Sequence, residues 1–143
     1  MRTLAATALL GLLAACGSNE EDTTTFKTPD GETVTVAERK GESASWPEGF
    51  SPYPDAQVVS DMSMGTDEAS GQIITFESDD TADDIADFYR EQAETAGFAI
   101  NMDFKVDGDR LLTAEAPDGR TFSMNTETAA DVTEVSLSIS GGG

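Results

Sequence analysis

The side chains best suited to nucleophilic or acid–base chemistry are scarce in this sequence. Cys16 is its single cysteine, histidine is absent, and the lysines are Lys27, Lys40 and Lys105. Histidine is the commonest general base near neutral pH, and a serine or threonine nucleophile needs such a base beside it. No lysine has the spacing of a catalytic dyad, and Lys105 is expected on a solvated surface near Asp107. Glycine-rich phosphate loops, paired-cysteine motifs and nucleophile elbows are also missing. We therefore expect no enzymatic activity, no catalytic residue and no cofactor.

Carboxylates are the abundant functional group, and they raise the question of a cation site. The sequence VDGDR (106–110) places Asp107 and Asp109 on either side of a glycine, but the further ligands of an EF-hand loop are missing. The sequence DDTADD (79–84) offers several oxygens, yet it also precedes a helical pattern, where acidic residues stabilise the positive end of the helix dipole. Helix capping is the simpler interpretation, so we expect no resident metal. A weak Ca²⁺ or Mg²⁺ site is the alternative.

Cys16 lies where an apolar run gives way to an acidic, polar one. Arg2 supplies a short positive start, and residues 4–15 (LAATALLGLLAA) form an unbroken apolar stretch. A helix of that length rises about 18 Å, too little for a hydrocarbon core of about 30 Å. The stretch has the dimensions of a signal peptide, and Ala14 and Ala15 are the small residues that a signal peptidase requires. We expect residues 1–15 to be a signal peptide, cleaved between Ala15 and Cys16.

The residues Leu13-Ala14-Ala15-Cys16 resemble the lipobox of bacterial lipoprotein precursors. This resemblance implies that the Cys16 thiol carries a diacylglyceryl group and that Cys16 is the first residue of a lipid-anchored mature chain. Two or three acyl chains, at about 0.8 kcal/mol per buried CH₂, make a stable membrane anchor where one chain does not. The resemblance also implies a bacterial envelope location. Gly17-Ser18 favours the periplasmic face of the outer membrane if the host has two membranes. A buried core cysteine is the competing interpretation, but the signal-peptide setting disfavours it.

The charge of the chain excludes several classes of partner. Twenty-eight acidic residues stand against eight basic ones, for a formal net charge of −20. Such a field repels phosphate backbones and anionic membrane surfaces, so nucleic-acid binding is not expected. Solubility is the ordinary reason for this acidity. We expect the chain to contact the membrane through the lipid on Cys16, with an envelope protein as the candidate second partner.

Hydrophobic periodicity predicts one helix and a series of strands. Six residues follow helical spacing and form one apolar stripe: Ile85, Phe88, Tyr89, Gln92, Ala93 and Ala96. Asp80 or Thr81 is the candidate N-cap and Gly97 follows the helix end. Runs of period two predict strands at 56–64, 71–78, 98–106, 110–116, 120–127 and 132–140. In the first run the alternation passes from Val58 or Val59 to Met62 and Met64; in the second, Ile74 and Phe76 share a face.

These elements, in the order ββαββββ, predict an α+β fold, an antiparallel sheet of about six strands with the amphipathic helix packed on one face. The domain prediction is a signal peptide at 1–15, a lipidated flexible tether at 16–25, a short hairpin and linker at 26–45, and a globular domain at 46–143. A hairpin alone is marginal in water, so residues 26–36 must pack on the sheet, pair with a partner or remain partly disordered. The proline-rich segment 46–59 is expected to cover one edge of the core with its aromatics.

A second resemblance covers about two-thirds of the mature chain. It is carried by YPDAQVV (53–59), FESDD (76–80), IADFYREQAETAGF (85–98) and LLTAEAPDGRTFSM (111–124). These sequence segments resemble a domain that recurs in small bacterial envelope lipoproteins without assigned activity. The resemblance implies fold and location, and it transfers no catalytic residue.

The resulting functional hypothesis is an envelope lipoprotein that acts as a non-catalytic interaction or structural module. The alternative is a lipoprotein that binds a divalent cation or a small apolar or cationic ligand between helix and sheet. Four methionines would give such a pocket an adaptable lining, although ordinary core packing also explains them: Met62, Met64, Met102 and Met124. An enzyme, the third hypothesis, requires a concave site with converging polar groups.

Overall fold

The computed structural model describes residues 22–29, 31–39, 44–66 and 70–141. The predicted signal peptide and Cys16 lie outside these residues. The elements in chain order are β1 (Asp22–Lys27), β2 (Thr33–Arg39), β3 (Gln57–Gly65), β4 (Ser70–Ser78), α1 (Ala82–Thr95), β5 (Ala99–Val106), β6 (Asp109–Glu115), β7 (Thr121–Ala129) and β8 (Val132–Ser140).

The strands form one antiparallel sheet in the order β1-β2-β3-β4-β8-β7-β6-β5. The α+β class, with a helix packed on an antiparallel sheet, is confirmed. The sheet has eight strands, however, and not about six. The two additional strands are the N-terminal hairpin, whose β2 continues the sheet by pairing with β3, Val36 opposite Met64. A hairpin that is marginal alone gains cross-strand contacts at a sheet edge. Because β1 begins at Asp22, residues 22–25 of the predicted tether belong to a strand.

Helix α1 begins and ends where its sequence predicts. Thr81 is the N-cap, and its hydroxyl accepts a hydrogen bond from the Asp84 N–H at 3.2 Å. Acidic residues in the first turn complement the positive end of the helix dipole. Gly97 follows the last turn with φ +89°, a conformation that glycine adopts without strain. Three members of the predicted apolar stripe are fully buried: Ile85, Tyr89 and Ala93.

The core lies between α1 and one face of the sheet, here called the helix face. Because side chains alternate along a strand, every second residue of the central strands enters the core. The predicted pairing of Ile74 with Phe76 on one face is confirmed, and both are fully buried. The other fully buried hydrophobic strand residues on this face are Leu112, Phe122, Met124, Val135 and Leu137. The opposite surface, here called the open face, is covered by no element among the described residues.

The proline-rich segment before β3, residues 46–56, here called the aromatic segment, contributes rings to the core itself, and not only to its edge as expected. Phe50 stacks on Phe122 of β7 with ring centroids 5.1 Å apart. Tyr53 meets Phe88 of α1 edge to face at 5.0 Å, and Phe50 and Tyr53 are both buried. Prolines fix φ along this segment, which limits the entropy lost when its aromatics are ordered.

A β-bulge in β3 changes which of its side chains face the core. The register to β4 shifts between Val58 and Ser60, so the extra residue Val59 reverses the alternation beyond it. Asp61 therefore lies opposite Ile74 on the helix face and is fully buried. Met62 and Met64 fall on the open face. The alternation predicted to run from Val58 or Val59 through both methionines is thus interrupted.

Candidate functional site

A solvent-open groove occupies the part of the helix face that α1 leaves uncovered. It has a volume of about 530 Å³, lies between the segment at Pro47-Glu48 and the inner surfaces of β2, β3, β4 and β8, and is open to solvent. Its size falls within the range of small-molecule sites. Arg120, Gln72 and Glu48 are among its polar lining residues, and Ile139 is among its apolar ones. We call it the Arg120 groove.

Arg120 is held in a fixed position at the groove by two neighbours. Its Nε donates to Asp118 Oδ2 at 2.8 Å, and its guanidinium carbon lies 5.0 Å from the centre of the Phe98 ring. Hydrogen bonds from the Arg120 backbone and side chain lower the pKa of Asp118. The fixed cation makes the groove a place where a polar group of a ligand could be oriented, since a positioned guanidinium offers several donors in one plane.

Asp61 organises a buried polar cluster next to this groove. Its carboxylate accepts from the Ser45 N–H at 2.9 Å, from the Ser45 hydroxyl at 3.2 Å and from Gln72 Nε2 at 2.7 Å. The Arg39 guanidinium lies 3.6 Å from the same carboxylate. Since Gln72 also lines the groove, the cluster joins the groove wall to β2, β3 and β4. The cluster was not predicted; its signal in the sequence is an aspartate inside an apolar alternation, in VVSDMSM (58–64).

A second charged cluster joins α1 to the β5–β6 hairpin. Asp83 contacts Lys105 and also accepts from Arg110 at 2.7 Å, while Asp103 accepts from Arg110 at 2.6 Å and contacts Arg90. Hydrogen bonds from Lys105 and Arg110 lower the pKa of Asp83. Lys105 is more than half exposed, as expected, but it is paired. These contacts fix the helix on the hairpin, and each cation has an acidic partner.

The acidic motifs considered for cation binding have structural partners. In DDTADD (79–84), Thr81 and Asp84 form the helix cap. In VDGDR (106–110), Asp107 and Gly108 both adopt positive φ in the hairpin turn, and Asp109 accepts from the Thr128 N–H at 2.8 Å. Across residues 22–29, 31–39, 44–66 and 70–141, no three acidic or cysteine side chains are grouped as metal ligands.

The space between α1 and the sheet is filled with side chains. Trp46 stacks on Tyr89 with ring centroids 6.3 Å apart, and Tyr53 donates to Asp80 Oδ2 at 2.8 Å. Burial, with the hydrogen bond to Asp80, raises the pKa of Tyr53 to about 12, and burial raises that of Tyr89 further. The methionines do not line a common pocket. Met124 is fully buried in the core, whereas Met62, Met64 and Met102 lie on the open face.

The open face carries two apolar areas separated by a polar centre. At its middle, Thr75, Ser136 and Asn125 form a cross-strand row on β4, β8 and β7. One apolar area, here called the N-terminal patch, comprises Phe26, Val34, Val36, Met62, Met64 and Ile73 on β1 to β4. The other, at the far edge of the sheet, comprises Met102, Phe104 and Val106 on β5 with Leu111 on β6.

The single predicted modification site lies outside the described residues. Cys16 and the bond between Ala15 and Cys16 belong to residues 1–21, so their lipidation and cleavage stay predictions. Among the residues that the structure does describe, no helix combines the length and apolar composition needed to cross a bilayer.

A START domain-like family model matches residues 58–136. The matched region runs from β3 through α1 to β8, so it includes the core and most of the sheet, while β1, β2 and the aromatic segment precede it. The curated proteins and the solved structures give no match to the chain.

Proposed function

The chain belongs to the START domain-like family, whose model matches more than half of its 143 residues, and on that premise we propose that it is a lipid-anchored, non-catalytic interaction module of the bacterial envelope. The observation that carries the proposal is the N-terminal patch on the open face. Its two most exposed members, Phe26 and Met64, are half and two-fifths exposed. Large apolar side chains gathered on one uncovered surface are typical of protein interaction sites.

The charge of the molecule defines the chemistry of the partner. Beyond the patch, Glu77, Glu134 and Glu127 lie in one cross-strand row on the open face. Like charges directly opposite one another destabilise a sheet. The net charge of −20 adds to the same field. A partner that covers this face is therefore a protein with an apolar contact surface bordered by basic residues. Its apolar surface would bury the patch, and its basic residues would offset the repulsion among the glutamates.

The predicted anchor would keep this patch near the bilayer. Strand β1 begins at Asp22, and an extended chain spans at most about 3.5 Å per residue, so a lipid on Cys16 would hold β1 within about 20 Å of the membrane surface. The partner is thus an envelope protein at that surface. The acidity of the chain opposes direct contact of the patch with anionic headgroups.

The anchor is tested by metabolic labelling in a bacterial host. The chain should incorporate radiolabelled palmitate and sediment with membranes, and Cys16→Ser should abolish both. Gly17→Ala, next to the modified residue, serves as the control and should leave labelling intact. Label that persists in Cys16→Ser would exclude Cys16 as the lipid attachment site.

The partner is tested by placing a photo-crosslinking amino acid at Phe26, with the exposed helix position Glu91 as control. Crosslinking in intact cells should give one product from position 26, identified by mass spectrometry as an envelope protein with a basic surface. Adding Met64→Lys should reduce its yield several-fold, because it places like charge against that surface; Glu91→Lys should not. Equal products from positions 26 and 91 would contradict a specific use of the patch.

The second candidate function is binding of a small ligand in the Arg120 groove. A START domain-like model hints at a ligand-binding fold, and this groove has the volume, the apolar lining and the fixed cation for an amphipathic molecule with an acidic or carbonyl group. The filled helix–sheet interface argues against the ligand position expected from the sequence. The Arg120 groove is the candidate ligand position instead.

Native mass spectrometry of protein purified from its own envelope tests this candidate. A bound small molecule should be present in the unaltered chain and absent from Ser63→Trp, in which an indole fills the groove. Ser123→Trp adds the same side chain on the open face and should retain the molecule. Protein without any bound species, or retention in Ser63→Trp, would count against the groove.

A further inference from the structure

Strand β5 forms one edge of the sheet and leaves large apolar side chains uncovered. Met102, Phe104 and Val106 all lie on the open face and are 40%, 56% and 64% exposed. The backbone groups on the free side of an edge strand are available for pairing with another strand. An edge that combines free backbone groups with exposed apolar side chains is a site for strand addition. This surface is separate from the N-terminal patch.

We propose that two copies of this chain associate through their β5 strands, antiparallel and centred on Phe104. In that register Met102 lies opposite Val106 of the second copy, and Asp103 lies opposite Lys105 of the second copy. Phe104 meets its own equivalent on the symmetry axis. Every opposed pair is apolar with apolar or acidic with basic. A two-fold interface requires such self-complementarity, because the same patch faces itself.

The alternation of the strand is preserved in this arrangement. Residues 102, 104 and 106 face the open side in both copies, whereas Asp103 and Lys105 face the helix side in both. The two sheets therefore continue into each other, with α1 of both copies on the same side. Cross-strand apolar pairs and opposite-charge pairs each stabilise an antiparallel ladder.

The charges select this register over its neighbours. Centring the pair on Asp103 places two aspartates opposite each other, and centring it on Lys105 places two lysines opposite each other. Like charges directly opposite are destabilising. A register shift between Ile100 and Met102 interrupts the regular strand, so the regular part available for pairing is short and contains this pattern. The charged side chains thus discourage unspecific edge pairing while permitting one register.

The intrachain contacts of these charges are compatible with the proposed pairing. Asp103 is already contacted by Arg90 and Arg110, and Lys105 by Asp83. The Lys105 side chain is 55% exposed, and an ammonium group has three donors, so it can also reach a second carboxylate. Pairing would join the charged clusters of the two copies into one network.

The opposite edge of the sheet has no such pattern. Strand β1 reads DTTTFK, and its side chains are threonine at three central positions. Centring an antiparallel pair on Thr24 sets Asp22 against Phe26, and centring it on Thr25 sets Thr23 against Lys27. Neither register places two opposite charges, or two apolar side chains, directly opposite each other. Phe26 nevertheless resembles Phe104 in exposure, 50% against 56%, and it provides a matched control.

Sedimentation velocity of the full chain in a non-ionic detergent tests the proposal at about 0.15 M salt, where charges more than about 8 Å apart are screened. The unaltered chain should show a reversible monomer–dimer equilibrium from micromolar to submillimolar concentration. Phe104→Lys should raise the dissociation constant at least about tenfold, whereas Phe26→Lys should leave it within about twofold. Mixing Phe104→Lys with Phe104→Glu should restore dimers that contain one copy of each.

Three results would overturn the proposal: a monomer at every concentration, equal weakening by the two lysine variants, or no dimer in the mixture. Circular dichroism checks that each variant is folded. A second measurement does not depend on the charged variants. In a Cys16→Ser background, Phe104→Cys should give disulfide-linked dimers under mild oxidation and Phe26→Cys should not, because only the first thiol lies opposite itself on the axis. Crosslinking at both positions, or at neither, would also refute the β5 register. The membrane-anchoring proposal is unaffected by either outcome.

Discussion

Removing the carboxylate of Asp61 should destabilise the protein more than any change to an exposed acidic residue. Asp61 is fully buried, accepts three hydrogen bonds from Ser45 and Gln72, and lies 3.6 Å from the Arg39 guanidinium. A hydrogen bond to a charged group contributes about 1.5–3 kcal/mol. Some of the Ser45 and Gln72 donors that lose Asp61 can bond to water in the Arg120 groove, which recovers part of the lost free energy. We expect Asp61→Ala to lower the free energy of unfolding by about 3–4 kcal/mol.

The assay is urea unfolding followed by tryptophan fluorescence. Trp46 is the only tryptophan of the chain and follows Ser45, which donates to Asp61, so it reports on both the cluster and the core. A loss of this size corresponds to a fall of roughly 10–15 °C in the melting temperature for a domain of this length. Asp61→Asn, which keeps one carbonyl acceptor, should lose about half as much.

Asp87→Ala is the control for the loss of one negative charge, because the Asp87 side chain is 69% exposed. It should change the free energy of unfolding by about 0.5 kcal/mol or less. If Asp61→Ala and Asp87→Ala differ by under about 1 kcal/mol, the buried cluster does not hold β2 and the aromatic segment to the sheet, and the reasoning fails.

Three further perturbations test other parts of the structure. Burial raises the pKa of Tyr53 to about 12, so the contribution of its hydroxyl to the free energy of unfolding is complete below about pH 10 and is lost as pH rises towards 12. Tyr53→Phe should therefore reduce the loss of stability that urea titrations measure over this alkaline range. The cationic partners of Asp83 lower its pKa, so the contribution of this carboxylate to the free energy of unfolding is present above about pH 4 and is lost in acid. The difference in urea midpoint between Asp83→Asn and the unaltered chain should therefore shrink to zero as pH falls through the lowered pKa. Gly49 has φ +88°, and an added Cβ would lie 2.8 Å from Ala96, so Gly49→Ala should cost about 2–4 kcal/mol in thermal or urea unfolding. Gly31→Ala, with φ +89° and no atom near the added Cβ, isolates the conformational part and should cost about 1 kcal/mol.

Local sequence patterns predicted the elements that local interactions determine. The spacing from Ile85 to Ala93 predicted α1, and the runs of period two at 98–106 and 110–116 predicted β5 and β6, which are joined by a turn in which Asp107 and Gly108 adopt positive φ. The run of period two at 132–140 placed β8 correctly. Such signals depend on periodicity and turn chemistry, which a single sequence contains.

The features that the sequence did not reveal depend on contacts distant in the chain. The bulge at Val59 has no glycine or proline to mark it, yet it turns Asp61 into the core and the neighbouring methionines out. The attachment of β1 and β2 depends on pairing with β3. For the same reason the Arg120 groove, which assembles residues from six parts of the chain, could not be predicted from any one segment. The candidate site was therefore the least predictable part of the molecule.

The strand order has a consequence for how the chain folds. Strands β1 to β4 and strands β5 to β8 are each a series of neighbouring hairpins, and the two series meet only where β4 pairs with β8. Hairpins close short loops, whereas joining Ser78 to Thr133 closes a loop that contains α1 and three strands. The entropic barrier to folding therefore concentrates at this one seam. Substitutions of Ile74 or Leu137, which face each other across it, should slow folding, while those in the outer hairpins should mainly speed unfolding.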